Sequence, residues 1–428
     1  MSTLIIFGIL TALMLTGMPI SIALGLTVLT FLFTLTQVPL ESVALKLFTG
    51  IEKFEIMAIP FFILAGNFLT HGGVAKRMIR FASDMVGHFY GGLALAGVMA
   101  CALFAAVSGS SPATVVAIGS ILLPAMVKAG FPNRFGAGVI TTSGALGILI
   151  PPSIVMVMYS VSTNTSVGAL FMAGVIPGLM LAFMLGMTTW YLARKNDYPR
   201  LPKASFVQRM KSFKESVWGL LLIVVVMGGI YTGIFTPTEA AAISAVYAFT
   251  IAVFVYKDMG LKDVPRVLLS SANMSAMLLY IITNAVLFSF LMTHENIPQA
   301  MADWLLDKGL GVITFLLFAN IILLVAGNFM EPSSIVLIFS PILFPVAMKL
   351  GIDPVHFGIM MVVNMEVGMC HPPVGLNLYV ASGITKMGIT ELTIAVWPWL
   401  LTMLVFLIIV TYWPGLSLWL PRAIGMIG

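Results

Sequence analysis

Long apolar runs, separated by short polar connections, follow one another along almost the whole chain. Since roughly 20 apolar residues are enough for a helix to cross a bilayer, such runs predict membrane-spanning helices. Ten runs are interpreted as crossings, five in each half of the chain: 3–17, 19–37, 55–70, 134–165, 168–193, 216–234, 238–256, 275–293, 356–388 and 391–412. Two further segments, 89–128 and 310–349, have polar centres rich in Gly, Ser and Pro, and we interpret them as re-entrant hairpins with a broken helix.

The composition agrees with this interpretation. Of the 428 residues, 60% are hydrophobic and 9% are charged, whereas soluble domains have roughly 45–50% apolar and 25% charged residues. So few charged side chains cannot cover the surface of a soluble protein, which excludes a soluble enzyme. We therefore predict an all-α polytopic membrane protein. The net charge of +5 comes from 21 basic residues in a few loops, which suits the setting of membrane topology, and the sequence has no patch of interleaved basic and aromatic residues, so we expect no nucleic acid partner.

The second half of the chain repeats the first. Motifs of the two halves match in the same order at an offset of 220 to 222 residues. The matching pairs include Ser111-Pro112 with Glu331-Pro332, Pro124 with Pro345, Pro132 with Pro354, Gly147 with Gly368, and Pro151-Pro152 with Pro372-Pro373. A colinear series of this kind indicates a duplication. We divide the chain into a first repeat at 1–193, a linker at 194–215 and a second repeat at 216–428.

Charge predicts that the two repeats are inverted in the membrane. Segment 71–87 has three basic and one acidic residue, whereas the matching segment 294–309 has one basic and three acidic residues. Under the positive-inside rule, equivalent segments of opposite charge belong on opposite sides of the membrane. The linker contains 7 of the 21 Lys and Arg residues, so we expect it to be cytoplasmic and both termini to be periplasmic.

Each repeat contains two predicted breaks of the helical backbone at membrane depth. The hairpin tips lie at 105–114 and 327–334, and the crossings 134–165 and 356–388 are interrupted at 144–153 and 367–373. Paired breaks in two halves indicate a transporter's binding site, because non-helical backbone is tolerated only where protein or water covers it. Helices that end offer carbonyls to a small cation, and helices that begin offer N–H groups to a carboxylate. The alternative for each break is close helix packing through Gly and Ser.

Two acidic residues lie within predicted membrane segments. They are Glu331 at the second tip and Glu366, which lies in the crossing 356–388 just before its break. Both are candidates for binding a cation or a proton, and the alternative is a carboxyl group that holds the backbone by accepting hydrogen bonds from N–H groups. His371 is either a ligand or proton carrier or a side chain held by an orienting hydrogen bond.

Other polar residues are interpreted as structural. Glu239 follows Thr236 by three residues, a spacing that predicts a helix cap. His356 lies near the end of a run and is expected to be solvated. Cys101 and Cys370 lie in apolar segments without a C-x-x-C motif, so we expect them to be packing residues.

The sequence contains no Walker A, G-x-S-x-G, H-E-x-x-H or dinucleotide-binding motif. We therefore expect a secondary transporter and not an enzyme, with an ion gradient as the energy source. A channel is the alternative from another class, and it would conduct without coupling to a substrate. An intramembrane enzyme is disfavoured because the sequence offers no plausible nucleophile and base pair or metal cluster.

At the first hairpin tip, at the breaks and at several further motifs, the sequence resembles the large membrane subunit of the tripartite ATP-independent periplasmic (TRAP) transporters. The resemblance spans essentially the whole chain and depends on Met57-Ala58-Ile59-Pro60-Phe61-Phe62, Ser108-Gly109-Ser110-Ser111, Ile150-Pro151-Pro152-Ser153, Phe235-Thr236-Pro237-Thr238-Glu239-Ala240-Ala241, Asp353-Pro354-Val355-His356-Phe357-Gly358 and His371-Pro372-Pro373-Val374-Gly375. It implies sodium-driven uptake of carboxylates across a bacterial inner membrane by an elevator motion, in which a transport domain carrying both hairpins moves against a scaffold. It also implies two partners, a small four-helix membrane subunit and a periplasmic substrate-binding protein.

Among TRAP transporters the sequence looks most like the branch for C4-dicarboxylates, with sialic acid or another organic acid as the alternative substrate. Carried over by position, the resemblance implies that the tips and breaks hold substrate and ions, through Ser108, Gly109, Ser110, Ser111, Pro112, Thr114, Gly144, Gly147, Pro151, Pro152, Gly327, Asn328, Glu331, Pro332, Ser333, Ser334, Asn364, Glu366, Gly368, His371, Pro372 and Pro373. Sodium is expected at Ser108, Ser110, Gly147, Gly327, Asn328 and Gly368. We expect no cofactor other than sodium as the coupling ion.

Overall fold

The computed structural model describes residues 2–36, 38–309, 311–372 and 375–427. All regular elements within these ranges are helices: α1 (Ser2–Leu15), α2 (Ile20–Leu35), α3 (Leu40–Thr49), α4 (Ala58–His71), α5 (Val74–Val86), α6 (Gly92–Ser108), α7 (Ser111–Lys128), α8 (Asn133–Gly144), α9 (Ile154–Thr163), α10 (Val167–Lys195), α11 (Phe206–Tyr231), α12 (Pro237–Thr250), α13 (Val264–His294), α14 (Ile297–Asp307), α15 (Val312–Gly327), α16 (Pro332–Lys349), α17 (Pro354–Cys370), α18 (Leu376–Thr385), α19 (Ile389–Tyr412) and α20 (Gly415–Ala423). Short 3-10 helices at Phe54–Met57 and Ala145–Ile148 precede α4 and follow α8, and a π-helical turn at Ile251–Val255 extends α12.

Many of these helices are long and apolar enough to cross a membrane. Eight such spans occur among the described residues: Phe54–His71, Ser111–Lys128, Val167–Lys195, Phe206–Tyr231, Pro237–Val255, Val264–His294, Pro332–Lys349 and Ile389–Tyr412. Shorter apolar helices include α2 and the first arms of both hairpins, α6 and α15. The predicted all-α polytopic membrane protein is therefore confirmed.

The order and lengths of the helices repeat in the two halves. The second arms of the hairpins, α7 and α16, both have 18 residues, and the short helices after the two breaks, α9 and α18, both have 10 residues. Each hairpin consists of two helices joined by a short tip, as predicted. In each repeat the order is hairpin, helix, break, short helix and long helix.

The two repeats pack against each other in a reciprocal way. Helix α7 packs on α18 and its counterpart α16 packs on α9, and likewise α8 packs on α19 and α17 on α10. In the same way α4 packs on α12, and the corresponding α13 packs on α2. For each of these helix pairs, the equivalent helices of the opposite repeats are also in contact. A two-fold relation between the repeats produces this pattern.

The boundaries differ from the sequence prediction in several places. The segment predicted as a linker, 194–215, contains the start of α11 at Phe206, so the connection without helix is shorter. A capping box starts this helix, because the Ser205 hydroxyl accepts a hydrogen bond from the Gln208 N–H (3.2 Å) and the Gln208 side chain accepts one from the Ser205 N–H (2.9 Å). Four further helices were not predicted, because they are too short or too polar to resemble a membrane span: α3, α5, α14 and α20.

Candidate functional site

The tip of the first hairpin is a two-residue turn stabilised by its own hydroxyl groups. Helix α6 ends at Ser108 because Gly109 adopts a left-handed conformation (φ 61°), and α7 begins at Ser111. The hydroxyls of Ser108 and Thr114 lie 2.9 Å apart, and Thr114 also donates to the Ser110 carbonyl at 2.9 Å. The Ser and Thr side chains of this tip therefore stabilise the backbone conformation of the turn.

The second tip is longer and ends in an acidic residue. Helix α15 ends at Gly327, and Glu331 occupies the N-cap position of α16 in an extended conformation. Its carboxylate accepts a hydrogen bond from the Ser334 hydroxyl (3.2 Å to Oε1). The Glu331 side chain does not cap the N-terminus of α16, although an N-cap residue with a side-chain oxygen often does so.

The first break lies directly against the first tip. A Cβ atom added to Gly147 would be 2.6 Å from the carbonyl carbon and oxygen of Ser110, so only glycine allows this approach of the two backbones. The Ser111 hydroxyl donates to the Gly144 carbonyl at 3.0 Å. Hence the first break and the start of α7 are held together by a close approach of their backbones and by a hydrogen bond from the Ser111 side chain.

The second break lies against the second tip in the same manner. A Cβ atom added to Gly368 would be 2.9 Å from the Cα atom of Gly327, and the reverse substitution would give the same distance. His371 Nδ1 is 2.8 Å from Oδ1 of Asn328, so the orienting hydrogen bond considered for this histidine is present and joins the break to the tip. Pro373, which the sequence places in the same break, lies outside the described residues.

Asn377 joins the two repeats at the first tip, and the sequence analysis missed it. Its Nδ2 atom donates to the Ser111 hydroxyl (2.7 Å) and to the Thr141 carbonyl (3.3 Å), and the side chain is fully buried. An asparagine in the first turn of an apolar helix could have indicated this role, since the corresponding first-repeat residues, Val155 and Met156, are apolar.

The two tips line one cavity of about 340 Å³. Polar groups come from both repeats, namely Ser110 and Ser111 of the first tip, Glu331 and Ser333 of the second tip, and Asn67 of α4. The N-termini of α7 and α16 lie at this cavity, and neither has an N-cap side chain bonded to its N–H groups. Free N–H groups at a helix N-terminus bind anions, because the helix dipole places about half a positive charge there.

The second buried acid, Glu366, does not line this cavity. It is fully buried, and neither carboxyl oxygen has a hydrogen-bond partner among the described residues. The interpretation that Glu331 and Glu366 hold the backbone by accepting hydrogen bonds from N–H groups is therefore wrong for the described part of the chain. Glu331 accepts a hydrogen bond from a hydroxyl group, and Glu366 has no hydrogen-bond partner among the described residues.

The candidate Asn364 faces α15, where its Nδ2 atom lies 2.8 Å from Oδ1 of Asn320.

The predicted site residues thus fall into two groups. Those that line the cavity are Gly109, Ser110, Ser111, Pro112, Glu331, Pro332 and Ser333. Those that lie outside its lining are Ser108, Thr114, Gly144, Gly147, Pro151, Pro152, Gly327, Asn328, Ser334, Asn364, Glu366, Gly368, His371 and Pro372. Several residues of the second group pack directly against residues of the first group. The Pro152 carbonyl, for example, approaches Gly109 so closely that an added Cβ atom on Gly109 would lie 2.9 Å from it.

Comparison with known proteins gives concordant results. Residues 7–416 match the family described as "Tripartite ATP-independent periplasmic transporter, DctM component". The chain is 77% identical to a C4-dicarboxylate TRAP transporter large permease protein of Rhodobacter capsulatus over 100% of both chains, and 55% identical to the protein of the same name from Pseudomonas aeruginosa over 90% of both. The solved structure of the Alcanivorax borkumensis YdaH transporter has a similar fold, with a TM-score of 0.65 at 17% identity over 90% of this chain and 89% of that one.

Proposed function

Because the chain belongs to the family of DctM components of tripartite ATP-independent periplasmic transporters, we propose that it imports C4-dicarboxylates across a bacterial inner membrane together with sodium ions. Two relatives, 77% and 55% identical, have names that specify C4-dicarboxylates. Both are large permease proteins, and the match with the first covers the whole chain. This level of identity favours the same substrate class over sialic acid.

The observation that carries the proposal is the cavity between two helix N-termini. A C4-dicarboxylate has a carboxylate at each end, and the N-termini of α7 and α16 each offer N–H groups and a partial positive charge to one carboxylate. The cavity of about 340 Å³ is at the lower end of the range of ligand pockets, roughly 300–1,000 Å³, as suits a small acid. Ser333 adds a hydroxyl group at the α16 end, whereas the Ser111 hydroxyl at the α7 end already donates to the Gly144 carbonyl.

Sodium is proposed at the helix ends beside this cavity. Helices α6 and α15 end at the tips, and their last carbonyls carry about half a negative charge. Gly147 and Gly368 allow the backbone of each break to approach the tip of its own repeat. This concentrates backbone oxygens near Ser108, Ser110 and Asn328, and oxygen ligands are what a hard cation such as sodium requires.

An elevator motion is proposed for the translocation step. The hairpins, the breaks and the helices that follow them form one reciprocally packed group, which includes α7 with α18 and α9 with α16. Helices α2, α4, α12 and α13 form a second reciprocal group. In our proposal the first group is the transport domain and the second belongs to the scaffold, so the cavity would move across the membrane with its ligands.

Two partners complete the proposed importer. The family is described as tripartite and periplasmic, which supports two further components. We propose that these are a small four-helix membrane subunit and a periplasmic protein that delivers the substrate. The basic linker is proposed to be cytoplasmic and the termini periplasmic, because the linker has 7 of the 21 Lys and Arg residues.

Reconstitution tests this function. Proteoliposomes that contain both membrane subunits are supplied with the binding protein and labelled succinate outside, with or without an inward sodium gradient. We expect accumulation only with the gradient and the binding protein. Accumulation driven equally well by a proton gradient without sodium would contradict sodium coupling, and succinate flux without the binding protein and without coupling would indicate a channel.

A further inference from the structure

An apolar groove runs between α6 and α10 on the outer surface of the first repeat. Its volume is about 740 Å³, and every residue that lines it is apolar. The lining side chains of α6, from Leu95 to Leu103, and those of α10, from Leu179 to Trp190, recur at the spacing of one helical face. The groove shares no lining residue with the cavity between the tips.

The length of the groove matches one leaflet of a bilayer. From Leu179 to Trp190, helix α10 advances by roughly 16–17 Å, at about 1.5 Å per residue. The hydrocarbon of one leaflet is about 15 Å thick, which is half of the roughly 30 Å core. Trp190 lies one turn before the end of α10 at Lys195, and Trp side chains are enriched where a membrane meets water. The groove therefore offers an acyl chain an apolar path from the membrane interface to the middle of the bilayer.

Two arginines lie at the interfacial end of this groove. The Arg194 guanidinium lies over the Trp190 ring, with Cζ at 5.3 Å from the ring centroid, and the Arg200 guanidinium lies over the Tyr90 ring at 3.5 Å. Trp190 lines the groove, and Tyr90 directly follows another lining residue, Phe89. Neither arginine forms a salt bridge in the part of the chain that the structure describes, so each can attract an anionic group.

The charge and the shape of this region together select the kind of ligand. Segment 194–200 has three basic residues and one acid, Asp197, and in the proposed topology it lies on the cytoplasmic side, where anionic head groups attract basic residues. A soluble anion would use the arginines and leave the groove empty. A helix of a partner protein would fill the groove and offer no phosphate to the arginines. A phospholipid has an acyl chain for the groove and a phosphate for the arginines.

We propose that the groove between α6 and α10 binds an anionic phospholipid of the cytoplasmic leaflet, with an acyl chain along the groove and the phosphate at Arg194 and Arg200. Because α6 is the first arm of the first hairpin and packs on α10, the bound lipid stabilises the position of this arm. Lipid binding here depends on neither the substrate nor the coupling ion, so it goes beyond the proposed function.

Photo-crosslinking locates the lipid. The purified complex of both membrane subunits is incubated in detergent with phosphatidylglycerol that has a diazirine on an acyl chain, and the labelled peptides are identified by mass spectrometry. We expect adducts on 95–103 and 179–190. Adducts confined to other helices would overturn the proposal, as would cross-links that place a helix of the small subunit or of a second copy in the groove. Equal labelling of the groove by the corresponding phosphatidylcholine would overturn the preference for an anionic lipid.

Charge variants test the head-group site. The double variant Arg194→Gln/Arg200→Gln should bind phosphatidylglycerol roughly 30-fold more weakly, as measured by competition of unlabelled lipid with the photolabel, because two attractions between a basic residue and an anionic lipid are lost. Lys257→Gln/Lys262→Gln is the matched control, since it removes two exposed charges from the connection between α12 and α13 on the same proposed side of the membrane. The control should bind as the wild type does. Unchanged affinity in the arginine variant would overturn the assignment.

Thermal unfolding of the wild-type complex gives a readout that needs no variant. A ligand that binds the folded state stabilises it, so phosphatidylglycerol should raise the unfolding midpoint and phosphatidylcholine at the same concentration should raise it less. A midpoint that does not change with phosphatidylglycerol, or that rises equally with both lipids, would contradict the proposal.

Discussion

The contact between Gly147 and Ser110 provides a sharp test of the arrangement of tip and break. In Gly147→Ala the new Cβ atom would lie 2.6 Å from the Ser110 carbonyl carbon and oxygen and 2.7 Å from the Ser111 nitrogen. Ordinary van der Waals contact begins at 3.4 Å, so the tip must move by nearly 1 Å. Overpacking of this kind costs about 1–3 kcal/mol, and a displacement of about 1 Å at a site reduces a rate by about 100-fold.

Two assays and one control measure these effects. Thermal unfolding of the purified membrane complex should show a lower midpoint for Gly147→Ala, and sodium-driven succinate uptake should fall by one to two orders of magnitude. Gly186→Ala in α10 is the matched control, because nothing lies within 4 Å of its added Cβ atom. A Gly147→Ala variant with wild-type stability and uptake would refute the backbone contact on which the sodium site depends.

Further substitutions test other parts of the site and fold. Ser110→Ala and Ser334→Ala should each weaken the apparent affinity for sodium or substrate while insertion into the membrane is unchanged; wild-type sodium dependence of uptake in both would contradict the site assignment. Asn377→Ala should destabilise the complex by about 1–3 kcal/mol, because it leaves the buried Ser111 without its amide partner, and a wild-type thermal midpoint would speak against this bridge. Thr236→Ala should cost about 0.5–2 kcal/mol through loss of the α12 capping box, with uptake per folded molecule unchanged, and stability equal to the wild type would show that the cap is dispensable.

The repeats, hairpins and breaks were predictable because Gly and Pro mark them. Gly109 ends α6 with a positive φ, and Pro332 occupies the first turn of α16, where a missing N–H is tolerated. The capping box at Thr236 and Glu239 is confirmed for the same reason, since it depends on local spacing.

Features that depend on tertiary packing could not be predicted. His356 was expected to be solvated, but it is 2% exposed, with Nδ1 at 2.9 Å from the Ser417 hydroxyl. The helix that covers it, α20, is short and was not predicted. Asn377 was missed because its partners, Ser111 and Thr141, belong to the other repeat and are more than 200 residues away in sequence.

The central claim is that one substrate lies between the N-termini of α7 and α16. The most direct measurement is a cryo-electron microscopy structure of the membrane complex with sodium and succinate bound. We predict density for succinate between the two tips, with one carboxylate near Ser111 and the other near Ser333. Succinate bound elsewhere, with the space between the tips closed or filled by side chains, would contradict the account.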